Sequence, residues 1–245
     1  MVRRVRESGR RTSAWLSAIL GLTLIVSAPA AQARPDRYAS IVVDVASGDI
    51  LYSRNMDAYR YPASLTKMMT LYLTFEAIEK GKLSLDQQVT ASAHASHQAP
   101  STLGLKPGDT LSLDSAIRAV VTKSANDAAV VLAETVGTNE RDFADAMTAK
   151  AQALGMSRTK FRNASGLPNP NQRTTAHDLA TLGLALKRDF PQYYSYFSTP
   201  NFTWNGVTFP NHNKLLNEYE GTTGLKTGYT AASGFNLAAS VVREG

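Results

Sequence analysis

The chain has 245 residues, 43% of them hydrophobic and 19% charged, with no cysteine and a formal net charge of +6. That size and composition allow one large domain with a substantial core, and the lack of thiols excludes cysteine catalysis, disulfides and cysteine-held metals. The charge does not point to nucleic acid, because the first 33 residues carry +4 of it and leave only +2 for the rest.

Those 33 residues have the order of a secretory signal. Arg3, Arg4, Arg6, Arg10 and Arg11 precede an apolar run, Ala14 to Val26, too short to span a bilayer comfortably, and Ala31-Gln32-Ala33 fits a small-x-small cleavage site. The competing reading is a membrane-anchored N-terminal helix. A cleaved signal at residues 1–33 predicts an exported protein, in the periplasm or at the extracytoplasmic face of the envelope, with one domain over residues 34–245.

The domain opens with a predicted hairpin, Tyr38 to Val45 and Asp49 to Arg54, around Ala46-Ser47-Gly48. A helix from about Ser64 to Lys80 follows; it is apolar nearly all round and so should be buried on most sides. Leu105-Lys106-Pro107-Gly108-Asp109 reads as a turn, and Asp114 as the cap of a helix to about Lys123. Further helices are predicted from Asn126 to before Gly137, from Glu140 to Leu154, and from a Thr175/Asp178 capping box to Lys187. Residues 161–173 read as a loop. Strands return at Phe202–Trp204, Val207–Phe209, Gly224–Tyr229 and Phe235–Val242. Strands at both ends with helices between them predict an α/β (α+β) fold: an antiparallel sheet formed by both termini, flanked by helices, with an inserted all-helical lobe. The last apolar strand has no partner left before Arg243-Glu244-Gly245, so a form truncated at its C-terminal end is expected.

Three short segments carry chemistry. Ser64-Leu65-Thr66-Lys67 puts a hydroxyl and an amine on one helix face, where burial would lower the Lys67 pKa toward that of a usable base; alone, the pattern recurs by chance. Ser124-Ala125-Asn126 offers a hydroxyl and an amide between two helices, though Ser and Asn are also ordinary helix caps. Lys226-Thr227-Gly228 lies on a strand that can pair with an extended peptide, with cationic and hydroxyl groups for a carboxylate and a glycine that admits another backbone. An exposed edge strand with a solubilising lysine is the plain alternative.

In the order S-x-x-K, S-x-N, K-T-G, each on the element it needs, the three form the set shared by penicillin-binding proteins and β-lactamases. The chain resembles the penicillin-recognising serine enzymes, with a serine β-lactamase/transpeptidase-like fold, and specifically the low-molecular-mass D-alanyl-D-alanine carboxypeptidases. Ser47-Gly48, Gly104 to Asp109, Phe161 to Leu167, Asn211 to Leu216 and Gly224 to Tyr229 extend the likeness. The resemblance implies that Ser64 attacks the D-Ala-D-Ala carbonyl, Lys67 accepts its proton and Ser124 protonates the leaving D-alanine. It also implies that Asn126 holds the substrate backbone, that Lys226, Thr227 and Gly228 bind the terminal carboxylate region, and that the Ser64 and Tyr229 amides form the oxyanion hole. The substrate implied is the peptidoglycan stem pentapeptide, with β-lactams as covalent inhibitors and no cofactor, metal or nucleic acid. Two departures stand out: Tyr229 occupies a position where members often have histidine, and the second domain and amphipathic anchor of the family are not present in this chain.

A DD-endopeptidase would use the same machinery. A class A β-lactamase needs a loop glutamate, yet residues 146–177 contain no Asp or Glu. A catalytically silent penicillin-binding sensor would not need Ser64 and Lys67. His94 and His97 could share a helix face, but no third metal ligand is nearby.

Overall fold

The computed structural model describes residues 36–243, so the expected signal at 1–33 lies outside the described residues. The expected opening hairpin is β1 (Ser40–Val43) paired antiparallel with β2 (Ile50–Arg54). Its turn is held by Asp44, whose carboxylate accepts from the amides of Ala46 and Ser47. A 3-10 turn, Ala63–Thr66, then leads into α1 (Lys67–Glu79). Ser64 therefore sits one turn before the α-helix and not at its first residue. Ala63 enters the turn at φ +47°, a left-handed geometry from which an α-helical ladder cannot start.

As its composition requires, α1 is enclosed: Met68, Met69, Leu71 and Phe75 have no exposed surface, each contributing roughly 1.5–3 kcal/mol by burial. Past it lie β3 (Gln88–Thr90), α2 (Ala93–Ser96) and β4 (Thr110–Ser112), with β3 and β4 paired antiparallel. Three-residue strands are too short to leave a period-2 signal in the sequence. The helical lobe continues with α3 (Leu113–Val121), α4 (Asn126–Val136) and α5 (Glu140–Ala153). The cap of α3 is Ser112, whose hydroxyl accepts from the Ser115 amide. Asp114, the expected cap, sits in the first turn and pairs with Arg118 at 2.8 Å. In α6 (Ala176–Asp189) Thr175 caps the Asp178 amide as expected, while the Asp178 carboxylate turns away to the Arg158 amide and the Thr159 hydroxyl, leaving the box half formed.

Tyr193, Tyr196 and Phe197 pack around Phe75 with ring centroids 5.0–6.4 Å apart, so this aromatic run belongs to the core. Last come β5 (Asn201–Trp204) and β6 (Val207–Pro210), a second hairpin, then α7 (Leu215–Glu218), and a third hairpin of β7 (Thr222–Thr230) and β8 (Gly234–Val241). The mixed α/β class and the inserted helices match the expectation. The single sheet does not: among the described residues β1–β2 and β7–β8 are hydrogen-bonded only within themselves. Both hairpins rest against α6, which holds them in one layer without a ladder between them.

Candidate active site

The 3-10 turn is where three distant segments converge, and two glycines allow it. A Cβ on Gly166 would stand 1.9 Å from the Ala63 carbonyl oxygen, and one on Gly228 would stand 2.8 Å from the Ser64 nitrogen. The loop after Phe161 and strand β7 thus press on Ser64 from two sides. Gly228 admits the chain's own Ser64 backbone, in addition to any substrate backbone expected from the sequence.

Lys67, on the first turn of α1, is fully buried. Its Nζ lies 3.2 Å from Ser64 Oγ, 2.7 Å from Asn126 Oδ1 and 2.5 Å from the Ser165 carbonyl oxygen. Burial lowers its pKa well below the ordinary lysine value; the nearby Lys226 charge lowers it further, and Asp127 opposes both. A neutral amine has two N–H bonds. Asn126 and Ser165 accept them, which leaves the lone pair for the Ser64 hydroxyl proton. The arrangement is that of a nucleophile beside its base.

Asn126 opens α4, but neither it nor Ser124 caps the helix; the cap position is Ala125, with no side-chain bond. Asn126 Oδ1 accepts from Lys67 and its Nδ2 donates to the Pro100 carbonyl. Asn126 thus helps to orient Lys67, and its second Nδ2 hydrogen is left for the substrate backbone that the resemblance implied. Ser124 is buried at φ +60°, and its hydroxyl has no partner among the described residues. Ala63, Ser101 and Ser124 are three of the five non-glycine residues at positive φ, and all three adjoin Ser64 or line the cavity beside it. Backbone strain of about 1–3 kcal/mol per residue collects at functional sites.

Asp127 is a residue the sequence reading missed. Fully buried, its carboxylate accepts from the amides of Leu103, Gly104, Leu105 and its own neighbour Ala128. It pins the Pro100–Leu105 loop, which in turn holds Asn126 through Pro100 and Ser101. Asp127→Ala would orphan several buried donors and should lower unfolding free energy by about 2–3 kcal/mol, read as a shifted urea midpoint at unchanged slope. An acid in the first turn of a helix reads from sequence as a dipole partner, which is why its other task was hidden.

Lys226 on β7 is also buried; burial lowers its pKa to about 7, and no carboxylate pairs with it among the described residues. Its Nζ donates to the Thr227 carbonyl at 3.2 Å. A cavity of about 560 Å³ brings together Ser64, Ser124, Thr227, Gly228 and Tyr229, and His212 also lines it. All eight expected site residues therefore lie in or directly behind one cleft.

With this geometry in view, relatives become informative. The sequence pattern of D-alanyl-D-alanine carboxypeptidases matches residues 25–245. The chain belongs to that family. It is 38% identical over 225 residues to D-alanyl-D-alanine carboxypeptidase DacC of Escherichia coli, covering 89% of this chain and 55% of that protein. The crystal structure of D-alanyl-D-alanine carboxypeptidase DacD from Francisella tularensis superposes with a TM-score of 0.83 at 30% identity, over 92% of this chain and 67% of that one. Penicillin-binding protein D2 of Listeria monocytogenes in its ampicillin-bound form gives 0.73 at 33% identity, over 84% of each chain. The chain spans about half the length of the curated relatives it matches. Among the described residues no helix is long and apolar enough to cross a membrane.

Proposed function

We propose that residues 34–245 form the peptidase domain of an exported D-alanyl-D-alanine carboxypeptidase, which removes the terminal D-alanine from peptidoglycan stem pentapeptides. The observation that carries this reading is the buried Lys67 amine, its pKa lowered by burial, 3.2 Å from the Ser64 hydroxyl. In the proposed sequence Ser64 Oγ bonds to the penultimate D-alanine carbonyl carbon while its proton passes to Lys67. The amides of Ser64 and Tyr229 hold the oxyanion; losing one such donor costs about 3–4 kcal/mol of barrier. The C–N bond to the last D-alanine then breaks, and Ser124 relays the proton to the leaving amine. Lys226 and Thr227 hold the terminal carboxylate. Water, deprotonated by Lys67, releases the acyl-enzyme.

A penicillin would acylate Ser64 in the same way and leave slowly. The acid nearest the loop that carries Ser165 is Glu140, and both its oxygens are committed, one to the Ala164 amide and one to His94 at 2.6 Å. Among the described residues no carboxylate is hydrogen-bonded to Ser64 or Lys67, where a β-lactamase would need one to activate a deacylating water.

Mass spectrometry of muropeptides incubated with the protein tests the reading. Loss of one D-alanine from pentapeptides, blocked by prior treatment with penicillin, is the expected result. Conversion of cross-linked dimers to monomers without that loss would replace the carboxypeptidase by an endopeptidase.

A further inference from the structure

The turn at residues 211–215, outside the three motifs, adds His212, Asn213, Lys214 and Leu215 to the lining of the cavity that holds Ser64. The turn is fixed from within: Asn211 Oδ1 accepts from the Asn213 amide at 2.9 Å, and Asn213 Oδ1 accepts from the Leu215 amide at 3.3 Å. The His212 amide donates to the Thr122 carbonyl at 3.4 Å, tying the turn to the end of α3. His212 is thereby held at the cavity rim, reachable from solvent on its outer side. The groups that face it are all basic or neutral. Lys226 comes from β7, Lys67 from α1, Lys123 from the turn between α3 and α4, Lys214 from its own segment, and Tyr229 again from β7. Among the described residues no carboxylate lines the cavity.

We propose that His212 completes the subsite for the substrate's terminal carboxylate and takes up a proton when that carboxylate binds. This rests on the carboxypeptidase reading above. Crowding on its inner side, then the charges of Lys226 and Lys123, hold the His212 pKa below the ordinary histidine value. The imidazole is accordingly neutral at neutral pH. An arriving carboxylate supplies the one kind of charge the cavity lacks, and an opposite charge within a few ångströms favours the protonated form. Histidine is the side chain for which such a change crosses the physiological range. Recognition of the carboxylate then tightens as pH falls, and a ligand without that charge gains nothing.

The test uses the full chain carrying Ser64→Ala, which cannot be acylated. The two ligands are diacetyl-L-lysyl-D-alanyl-D-alanine and its C-terminal amide. Titration calorimetry at pH 7 in two buffers of different ionisation enthalpy counts protons taken up on binding. The acid should draw a measurable fraction of a proton into this protein and a smaller one when His212→Asn is added, Lys226 accounting for the remainder. The amide should draw none. From pH 6 to pH 8 the affinity for the acid should fall up to about tenfold further with His212 than without it, the equivalent of a one-unit rise in its pKa on binding. His212→Arg, permanently charged, should flatten the curve while keeping affinity at pH 8. Equal proton uptake with and without His212, or parallel pH curves for all three proteins, would overturn the assignment. Failure of the acid to bind at any pH would remove the peptidase reading on which it rests.

Discussion

Replacing Ser64 by alanine should abolish covalent labelling by a fluorescent penicillin, and replacing Lys67 by arginine should slow it by about 10²–10⁴-fold. The first change removes the atom that forms the acyl bond. The second keeps a cation of similar reach but one that cannot give up its proton, since a guanidinium stays charged throughout the accessible pH range. A base is useful only when unprotonated, so the labelling rate should climb as pH rises through the Lys67 titration. Burial and the Lys226 charge have moved that titration well below the usual lysine range. In Lys67→Arg the climb should disappear. On the alkaline side the sign reverses for a substrate with a free carboxylate. Lys226, lowered to about 7, loses its charge as pH rises, and the anion loses a partner. Because the two lysines repel each other, the two limbs belong to the pair. Initial labelling rates between pH 5 and 9, for parent and variant, check this; a climb with rising pH retained in Lys67→Arg would move the base to another residue, while the alkaline fall from Lys226 should persist in both.

The second large effect is on folding. Gly166→Ala should lower unfolding free energy by about 4–5 kcal/mol, the range reserved for severe backbone strain, and the melting temperature by about 10–20 °C. Gly166 has φ +86°, where an L side chain is strained, and its Cβ would lie 1.9 Å from the Ala63 carbonyl oxygen and 2.4 Å from the carbonyl carbon. The neighbour is main chain, with no rotamer to yield. Relief requires the loop to retreat from the 3-10 turn, carrying with it the Ser165 carbonyl that accepts from Lys67. Penicillin labelling of whatever fraction stays folded should slow as well. Calorimetry with and without bound penicillin separates the two effects, and an unchanged melting temperature would show that the loop has room the structure denies it.

The elements most legible in the sequence were those with a local cause. The opening hairpin, helices α4 to α6 and the β7–β8 hairpin follow from periodicity, caps and turn residues within a few positions. The three motifs were legible because each residue type has a distinct chemistry and the order of the three is informative. What escaped depends on contacts between remote segments. Nothing near Ser165 says that its carbonyl will face an amine at residue 67. Asp127 and His212 were visible as letters, but their surroundings come from residues 103–105 and from β7. The 3-10 turn at Ser64 lies against Gly166 and Gly228, remote residues whose lack of a Cβ lets their segments approach it. Strand pairing between the two terminal hairpins was inferred from their position in the chain, and position alone does not specify hydrogen bonding.

The amine of Lys67 joins three stretches of chain, with partners 59 and 98 residues downstream as well as the hydroxyl three residues upstream. An unfolded or half-assembled polypeptide thus has an ordinary, protonated lysine in water and an unreactive serine. Chemical competence arises only on completion of the native structure, so a chain still folding would meet peptides and antibiotics without reacting. Maturation itself serves as the safety catch.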